Sequence, residues 1–285
     1  MPARTAPATT ARPFLKWAGG KRQLLERFAP LYPERVDRFV EPFAGSAAVF
    51  FDVRARFDLK FAALSDNNEE LVNCYQVVRD DVEAFIRRLR AHKKRHHEQY
   101  PSHFYSVREQ QPDRLSLAQR AARFIYLNKA GYNGLYRVNA AGRFNVPVGR
   151  YNDPPICAPE LLRTASAALQ GVRIEVRDFE EWLGEAKAGD FFYIDPPYVP
   201  LSKTSNFTSY VPGGFGIEEQ ERLASFVRDL DARGALVMLS NSDSPIARKL
   251  YRGFGITKLQ ARRNINSNGA RRGSIAELVI RNYGP

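Results

Sequence analysis

The chain has 285 residues, with 43 Lys or Arg against 31 Asp or Glu, a net charge of +12 and a sequence pI near 9.8. Its 44% hydrophobic and 12% aromatic residues are enough for a full core, which excludes a disordered tail or a disulfide-stapled mini-domain. No run approaches the ~18 apolar residues of a membrane-spanning helix, and the first residues lack the apolar core of a signal peptide. We therefore expect a cytoplasmic protein without a membrane partner.

The positive charge is concentrated in two segments. Residues 114–152 contain seven Lys or Arg and no acid, and residues 244–276 contain eight and no acid. The rest of the chain is slightly acidic, with 28 basic against 31 acidic residues. A positive excess confined in this way is typical of a surface that binds a polyanion.

Metal and disulfide chemistry are both disfavoured. Cys74 and Cys157 are too few for a disulfide framework and wrongly spaced for zinc. His92 and His96 have ligand spacing but lack the Glu of a zinc-protease motif. We expect reduced thiols, no metal, and a solvated helix end at His92–His97.

Strands alternate with helices along the chain after a flexible tail at residues 1–12. The predicted strands are residues 36–40, 61–65, 172–176, 191–195 and 235–240, with further β structure at 256–262 and 275–282. The predicted helices open at Ala47, run from Asn68 through Phe85, and cover residues 102–131, 179–188, 217–231 and 244–251. This order predicts an α/β fold with a doubly wound, mostly parallel sheet. Residues 13–80 and 156–285 would form the main domain, which contains this sheet, and residues 81–155 an inserted domain of helices and a hairpin.

The most specific motif is Asp195-Pro196-Pro197-Tyr198, directly after an apolar strand. The carboxyl end of a strand in an open α/β sheet is where ligands bind. The two prolines stiffen the turn and remove two N–H donors, so the backbone there offers mainly carbonyl acceptors. An acid, a fixed carbonyl and an adjacent ring suit an aromatic amine. The alternative is a rigid strand-to-loop turn without a binding role, in which Asp195 is a turn residue and the Tyr198 ring only packs against its neighbours.

This motif is one of several that together resemble the Dam-type DNA adenine-N6 methyltransferases. The matching segments follow one another in order: Phe14–Lys21, Glu41–Phe51, Asp66–Tyr75, Tyr126–Tyr151, Asp195–Asn206 and Arg263–Leu278. The resemblance implies a Rossmann-like methyltransferase fold, a DNA-recognition insertion and S-adenosylmethionine as methyl donor. One departure is Ala47, where the family usually has Gly.

The first half of the chain contains the expected cofactor site. A small-residue turn at Ala44–Ala47 allows close approach of the backbone, with Phe43 and Gly45 as expected cofactor contacts, and Asp66 at a strand end can accept both ribose hydroxyls. The resemblance further implies that Trp17, Lys21, Asp66 and Asp195 contact the cofactor and that Phe179 packs near its adenine. Taken singly, Trp17 could equally be core and Asp66 a helix cap.

The expected mechanism has no covalent enzyme intermediate. Asp195 and the Pro196 carbonyl would accept the two N–H bonds of the adenine amine, favouring the tetrahedral nitrogen that develops during transfer. Since N6 lies inside the paired duplex, the base must flip out, and Tyr198 would stack on it. A cytosine-C5 mechanism is disfavoured because no cysteine is suitably placed.

Residues Tyr132–Tyr151 form the predicted DNA-recognition hairpin, whose Arg and Asn side chains suit base edges. The alternative is a solvated basic hairpin. The resemblance implies a guanine contact for Arg137, a second from Lys16, base or backbone contacts for Leu135, Pro147 and Tyr151, and insertion of Asn133 into the opened stack. A second basic cluster would clamp phosphates through Asn264, Ser267, Asn268 and Arg271.

These observations predict a site-specific methyltransferase that acts on adenine N6 in double-stranded DNA, with GATC as the expected target. We expect a monomer, and pairing with a restriction endonuclease stays open. Cytosine-N4 or RNA amine methylation remains an alternative, since the acid and aromatic ring suit any exocyclic amine. A non-catalytic DNA-binding protein of the same fold is another. A dinucleotide oxidoreductase is disfavoured because the turn after the first strand lacks the GxGxxG spacing.

Overall fold

The strands form one seven-stranded sheet in the computed structural model, which describes residues 10–198, 215–262 and 274–284. They are β1 (Arg38–Glu41), β2 (Phe61–Asp66), β3 (Arg173–Val176), β4 (Phe191–Ile194), β5 (Leu236–Ser242), β6 (Gly255–Arg262) and β7 (Ser274–Arg281). Their order is β3-β2-β1-β4-β5-β7-β6. The first five pair in parallel, whereas β7 runs antiparallel to β5 and β6. The predicted α/β fold with a mostly parallel, doubly wound sheet is confirmed.

Helices cover both faces of this sheet. They are α1 (Leu25–Phe28), α2 (Ala48–Arg56), α3 (Glu69–Asp80), α4 (Val82–Glu98), α5 (Ser102–Arg108), α6 (Leu117–Ala130), α7 (Pro159–Leu169), α8 (Ile217–Ala232) and α9 (Pro245–Leu250), with short 3-10 helices between them. Within the described residues, none of them combines the length and the apolar character that crossing a membrane requires.

Three predicted helices differ in the structure. The helix predicted through Phe85 is two, because Asp81 ends α3 and its carboxylate caps α4 by accepting a hydrogen bond from Ala84 N. The helix predicted at 102–131 is interrupted at Pro112, which lacks the N–H that a continuous helix needs. Residues Phe179–Glu185 form a 3-10 helix rather than an α-helix. Helix α7 was not predicted.

The parallel strands bring chemically similar side chains to one edge. Glu41 ends β1, Asp66 ends β2, and Asp195 follows β4 directly. Every residue of β4 is buried, as expected for a central strand covered on both faces. Because parallel strands share their direction, the three carboxylates lie at the same edge of the sheet, where ligands of α/β proteins bind.

The predicted insertion packs on the catalytic part without a separate core. One hydrophobic cluster joins Phe50 and Leu71 to Phe85, Phe104 and Tyr126 of the insertion. A second cluster fills the opposite face of the sheet, between β4, β5 and α8. The division at residues 81 and 155 stays a prediction. Of the predicted flexible tail, residues 1–9 lie outside the described residues.

The histidines of α4 pack against other helices, so the expectation of a wholly solvated helix end was wrong. His96 is buried with Nδ1 2.9 Å from Tyr126 Oη, and His92 Nδ1 is 3.2 Å from His103 Nε2. The His92 ring stacks on Tyr126 at 4.8 Å. At these positions the side chains of α4 point toward α5 and α6. In the described part of the chain, no group of three or more metal-ligating side chains is arranged to hold an ion.

Burial of His92 makes the stability of the fold pH-dependent. Desolvation, reinforced by His103 and Arg95, lowers the pKa of His92 from 6.5 to about 4. The folded state thus binds fewer protons than the unfolded state between these values, so stability present above pH 6.5 is lost as the pH falls toward 4. We expect a loss of about 3 kcal/mol across that window from His92. Urea unfolding of the wild type and of His92→Phe at pH 7.5 and 4 measures it. An equal pH dependence in both proteins would contradict the assignment.

Candidate active site and DNA interface

The carboxylate of Asp195 is held in a fixed orientation at the end of β4. Its Oδ2 is 2.7 Å from Lys21 Nζ, and 19% of its side chain is exposed. Lys21 is buried and also donates to the Gly19 carbonyl at 2.6 Å. Lys21 thus fixes Oδ2 of Asp195, the Tyr198 hydroxyl lowers the pKa of the same carboxyl, and the exposed part of the side chain is what can face a substrate. The resemblance implies a contact between Lys21 and the cofactor, and in the structure the Lys21 ammonium is paired with Asp195.

Asp195 is one of four acids that are buried or half-buried at this end of the sheet, and we call Glu41, Asp66, Asp195 and Glu277 the carboxylate cluster. Burial raises the pKa of each of them above its ordinary value. The Lys21 ammonium opposes that effect at Glu41, Asp195 and Glu277, and the negative charges of Asp195 and Asp66 add to it at Glu41. With four acids and one buried lysine, the cluster favours a positively charged ligand.

The two prolines and Tyr198 are positioned by contacts with other segments of the chain. Pro196 is buried, and the Pro197 carbonyl accepts a hydrogen bond from Gln220 Nε2 at 2.8 Å. No described residue donates to the Pro196 carbonyl. The half-buried Tyr198 ring lies 4.9 Å from Lys21 Nζ, and its hydroxyl forms no hydrogen bond of normal geometry with a described residue. The turn therefore presents one carbonyl acceptor and one partly open aromatic ring.

The expected cofactor turn is closed by Asp66. Its carboxylate accepts hydrogen bonds from Gly45 N at 3.1 Å and Asn68 N at 3.0 Å. Tyr75 donates its hydroxyl to the Gly45 carbonyl at 2.9 Å, which fixes the turn from beneath. Asp66 is half-buried, and the two hydrogen bonds use only part of the acceptor capacity of its carboxylate. The predicted role as an acceptor for ligand hydroxyl groups depends on the lone pairs that remain.

Two left-handed positions shape this turn. Gly45 has φ +45°, and a Cβ there would lie 2.9 Å from Trp17 Cδ1, so Trp17 packs directly on the glycine. Ala47 has φ +51° although it carries a side chain. A left-handed L-residue costs about 1–2 kcal/mol, which gives a physical reason why Gly suits position 47 better than the Ala of this chain.

Phe43 and Phe179 stack on each other beside the turn. Their ring centroids are 5.4 Å apart, and Phe215 contacts both rings. Phe179 is fully buried, with the Arg222 guanidinium 4.4 Å from its centroid, whereas Phe43 is half-buried. Of this predicted pair, Phe43 is the ring more accessible to a ligand.

The predicted recognition hairpin is a loose ribbon with two isolated β-bridges, Val138–Phe144 and Gly131–Val148. Arg137 is exposed and donates through Nε to Asn145 Oδ1 at 2.7 Å, which holds its guanidinium at the ribbon edge. Asn133 has φ +56°, a strained conformation at the start of the ribbon. Pro147 is exposed and Leu135 is half-buried against the core.

The N-terminal segment reaches this hairpin through Lys16. Its Nζ lies 5.0 Å from the centroid of Tyr151, so two of the predicted DNA contacts are neighbours. Asn128, fully buried on α6, accepts from Lys16 N at 2.9 Å and donates to the carbonyls of Lys16 at 2.7 Å and Gly134 at 2.9 Å. Trp17 then stacks on Tyr136 at 5.9 Å. The hairpin and the expected cofactor turn are thereby joined. The other predicted DNA contacts, Asn264, Ser267, Asn268 and Arg271, lie outside the described residues.

Comparison with known proteins assigns this arrangement to a family. The model of the D12 class N6 adenine-specific DNA methyltransferases matches residues 17–265. The chain belongs to this family. It is 44% identical to the type II methyltransferase M1.LlaDCHI of Lactococcus lactis subsp. cremoris, with 96% of each chain covered. It is 43% identical to the type II methyltransferase M.MjaIII of Methanocaldococcus jannaschii, covering 95% of this chain and 99% of that one. It is also 36% identical to the DNA adenine methylase of Vibrio cholerae serotype O1, covering 94% of this chain and 95% of that one.

This membership confirms the predicted enzyme class. The methyltransferase acts on N6 of adenine in DNA, which decides against the cytosine-N4, RNA and non-catalytic alternatives. The resemblance to the Dam-type enzymes is confirmed as well. Two of these relatives are named as type II methyltransferases.

Sequence reasoning missed three buried polar residues of this methyltransferase. Glu41 accepts from Phe50 N at 2.9 Å, Glu277 lies 3.7 Å from Lys21 Nζ, and Asn128 links two segments. Glu277 stands within the apolar run Ala276–Ile280, and Glu41 and Asn128 directly follow the apolar residues Phe39–Val40 and Phe124–Leu127, so a charged or amide side chain is unexpected at each. A polar residue inside a predicted buried element was the available signal.

Proposed function

We propose that the enzyme transfers a methyl group from S-adenosylmethionine to N6 of an adenine flipped out of double-stranded DNA, with GATC as its target. The proposal rests on one observation above all: Asp195 follows a buried central strand, its carboxylate is oriented by Lys21 at 2.7 Å, and 19% of its side chain stays exposed to a substrate. The names of relatives further support a type II restriction-modification setting. A cytoplasmic monomer is part of the proposal.

The residues at the carboxyl edge of the sheet suit S-adenosylmethionine. The donor is a sulfonium cation, and the carboxylate cluster of four acids and one lysine favours positive charge. Gly45 lets Trp17 pack directly on the turn, Asp66 can accept hydroxyl groups, and Phe43 offers a half-buried ring. When bound, the cofactor supplies an electrophilic methyl group.

The chain itself orients the adenine amine. Asp195 and the Pro196 carbonyl accept its two N–H bonds, which favours the pyramidal nitrogen over the planar one. The accessible face of Tyr198 stacks on the flipped base. Because an acceptor at Asp195 must be ionised, and burial raises the pKa of Asp195, methyl transfer should fall as the pH drops through that pKa.

A panel of duplexes tests the proposal. The enzyme is incubated with methyl-labelled S-adenosylmethionine and duplexes that contain GATC or a single-base variant of it, and the products are digested for nucleoside mass spectrometry. N6-methyladenine confined to GATC supports the proposal. Labelling of a different adenine context would reject the target, and no labelling with this donor would reject the cofactor. 2-Aminopurine at the target position reports flipping by a rise in fluorescence.

The cofactor turn yields a separate prediction. Gly45→Ala should weaken binding of S-adenosylhomocysteine by about tenfold or more, because the new Cβ would lie 2.9 Å from Trp17 Cδ1 and displace that ring. Gly171→Ala is the matched control, since Gly171 has φ +73° and open space around its Cβ position. Both variants should lose similar stability from the left-handed backbone. Isothermal titration calorimetry that finds equal affinity in the two would contradict the assignment of this turn.

A further inference from the structure

Strand β7 brings an acid next to the Asp195–Tyr198 motif. Glu277 pairs in register with Ser242 of β5 and Leu259 of β6, two strands away from β4. It is buried between apolar neighbours, with 7% of its surface exposed. Burial raises the pKa of Glu277, and the Lys21 charge opposes that effect. A buried carboxylate is costly unless it is paired, so its neighbours indicate its role.

Lys21 connects Glu277 to Asp195. Its ammonium has three N–H donors, of which two make short contacts, to Gly19 O at 2.6 Å and Asp195 Oδ2 at 2.7 Å. Glu277 Oε1 lies 3.7 Å away, beyond hydrogen-bond distance, so it acts on the ammonium through its charge. The two short contacts and this charge together limit the freedom of the ammonium to move. The position of Lys21 in turn orients the carboxylate of Asp195.

Tyr198 lies next to the same acid. The Tyr198 hydroxyl and Glu277 Oε1 are both buried, and neither has a hydrogen-bond partner of normal geometry among the described residues. They are close enough that the hydroxyl lowers the pKa of Glu277. The hydroxyl also lowers the pKa of Asp195, so it is close to both acids. A buried donor and a buried acceptor stabilise each other when they pair.

We propose that Glu277 is a positioning residue that holds both ends of the motif: through Lys21 it orients Asp195, and through the phenol hydroxyl it orients the Tyr198 ring. The amine acceptor and the stacking surface thereby depend on one acid from the C-terminal strand. This inference rests on the proposed roles of Asp195 and Tyr198.

The variant Glu277→Gln tests it. The amide still accepts a hydrogen bond from Tyr198 but loses the charge that faces Lys21. We expect kcat to fall by about tenfold or more, with the affinities for DNA and S-adenosylhomocysteine within about threefold of wild type. Removing a negative charge beside Asp195 lowers the pKa of Asp195, so the acid limb of the kcat/KM profile should move to lower pH. A loss of packing alone would not move that limb.

Two further variants separate positioning from stability. Glu277→Asp retains the charge and should restore the position of the acid limb while recovering only part of kcat. Asp190→Asn is the matched control, since Asp190 is equally buried and pairs with Arg38 at 2.8 Å, at the start of β4. It should lower the melting temperature and leave the pH profile in place.

A double-mutant cycle examines the phenol contact. If Glu277 acts partly through Tyr198, the effects of Glu277→Ala and Tyr198→Phe on kcat should be less than additive. Wild-type kcat and an unmoved acid limb in Glu277→Gln, or additive effects in the cycle, would overturn the inference. Absence of adenine methylation by the wild type would instead overturn the proposed function, so the wild type is measured first.

Discussion

Asp195→Ala should lower the rate of methyl transfer by about 10³-fold while leaving DNA binding intact. The substitution removes the acceptor that faces the amine, so the nitrogen keeps its lone pair delocalised in the ring. It also removes a negative charge from a surface that meets a polyanion, so DNA affinity should stay the same or rise slightly. Single-turnover transfer of labelled methyl, with DNA binding measured by fluorescence anisotropy, gives the two quantities separately.

Asp195→Asn is the companion variant. Asn has nearly the same shape and one acceptor oxygen, but it carries no charge for the Lys21 ammonium at 2.7 Å. We expect activity between those of Asp195→Ala and wild type, and a smaller change in melting temperature than Asp195→Ala shows. Equal activity of Asp195→Ala and wild type would remove Asp195 from the mechanism. An equal loss of DNA binding and of transfer would make it a structural residue.

Sequence patterns were sufficient wherever a local rule decides the structure. The buried run Phe191–Ile194 predicts a central strand, and the strand-end rule then places Asp195 at the ligand edge. Asp66 was located in the same way at the end of β2. Each of these residues is positioned by the strand that it ends or follows. Their place in the site could therefore be predicted without knowing any contact between distant segments.

Contacts between distant segments could not be predicted in this way. Glu277 reaches Asp195 only because β7 lies antiparallel between β5 and β6, a strand order that alternation of strands and helices does not determine. The histidines of α4 looked solvated because α5 and α6 cover them from outside their own helix. Helix type at Phe179–Glu185 was missed because tertiary packing overrides the local helix preference.

Asn128→Ala should destabilise the fold strongly. Asn128 is fully buried and makes three hydrogen bonds, of 2.9, 2.7 and 2.9 Å, to Lys16 and Gly134. Alanine leaves one N–H and two carbonyls without their partner, which should lower the free energy of unfolding by about 3–5 kcal/mol. Urea denaturation monitored by tryptophan fluorescence measures the loss.

The same variant should also weaken discrimination between the proposed GATC target and single-base variants of it. Asn128 ties the hairpin that carries Arg137 to Lys16 and so to Trp17, which packs on Gly45 of the cofactor turn. Without that link, docking of the hairpin on the correct DNA site no longer fixes the conformation of the cofactor turn. The ratio of kcat/KM for the proposed GATC target over a near-cognate site should therefore fall by about tenfold. Asn73→Ala is the control, because Asn73 is a buried asparagine on α3 whose hydrogen bond, to Leu117 O at 3.0 Å, lies outside this link. It should be less destabilised and retain the wild-type ratio. A lower ratio in Asn73→Ala as well would attribute the effect to general loosening of the helices instead of to the Lys16–Gly134 link.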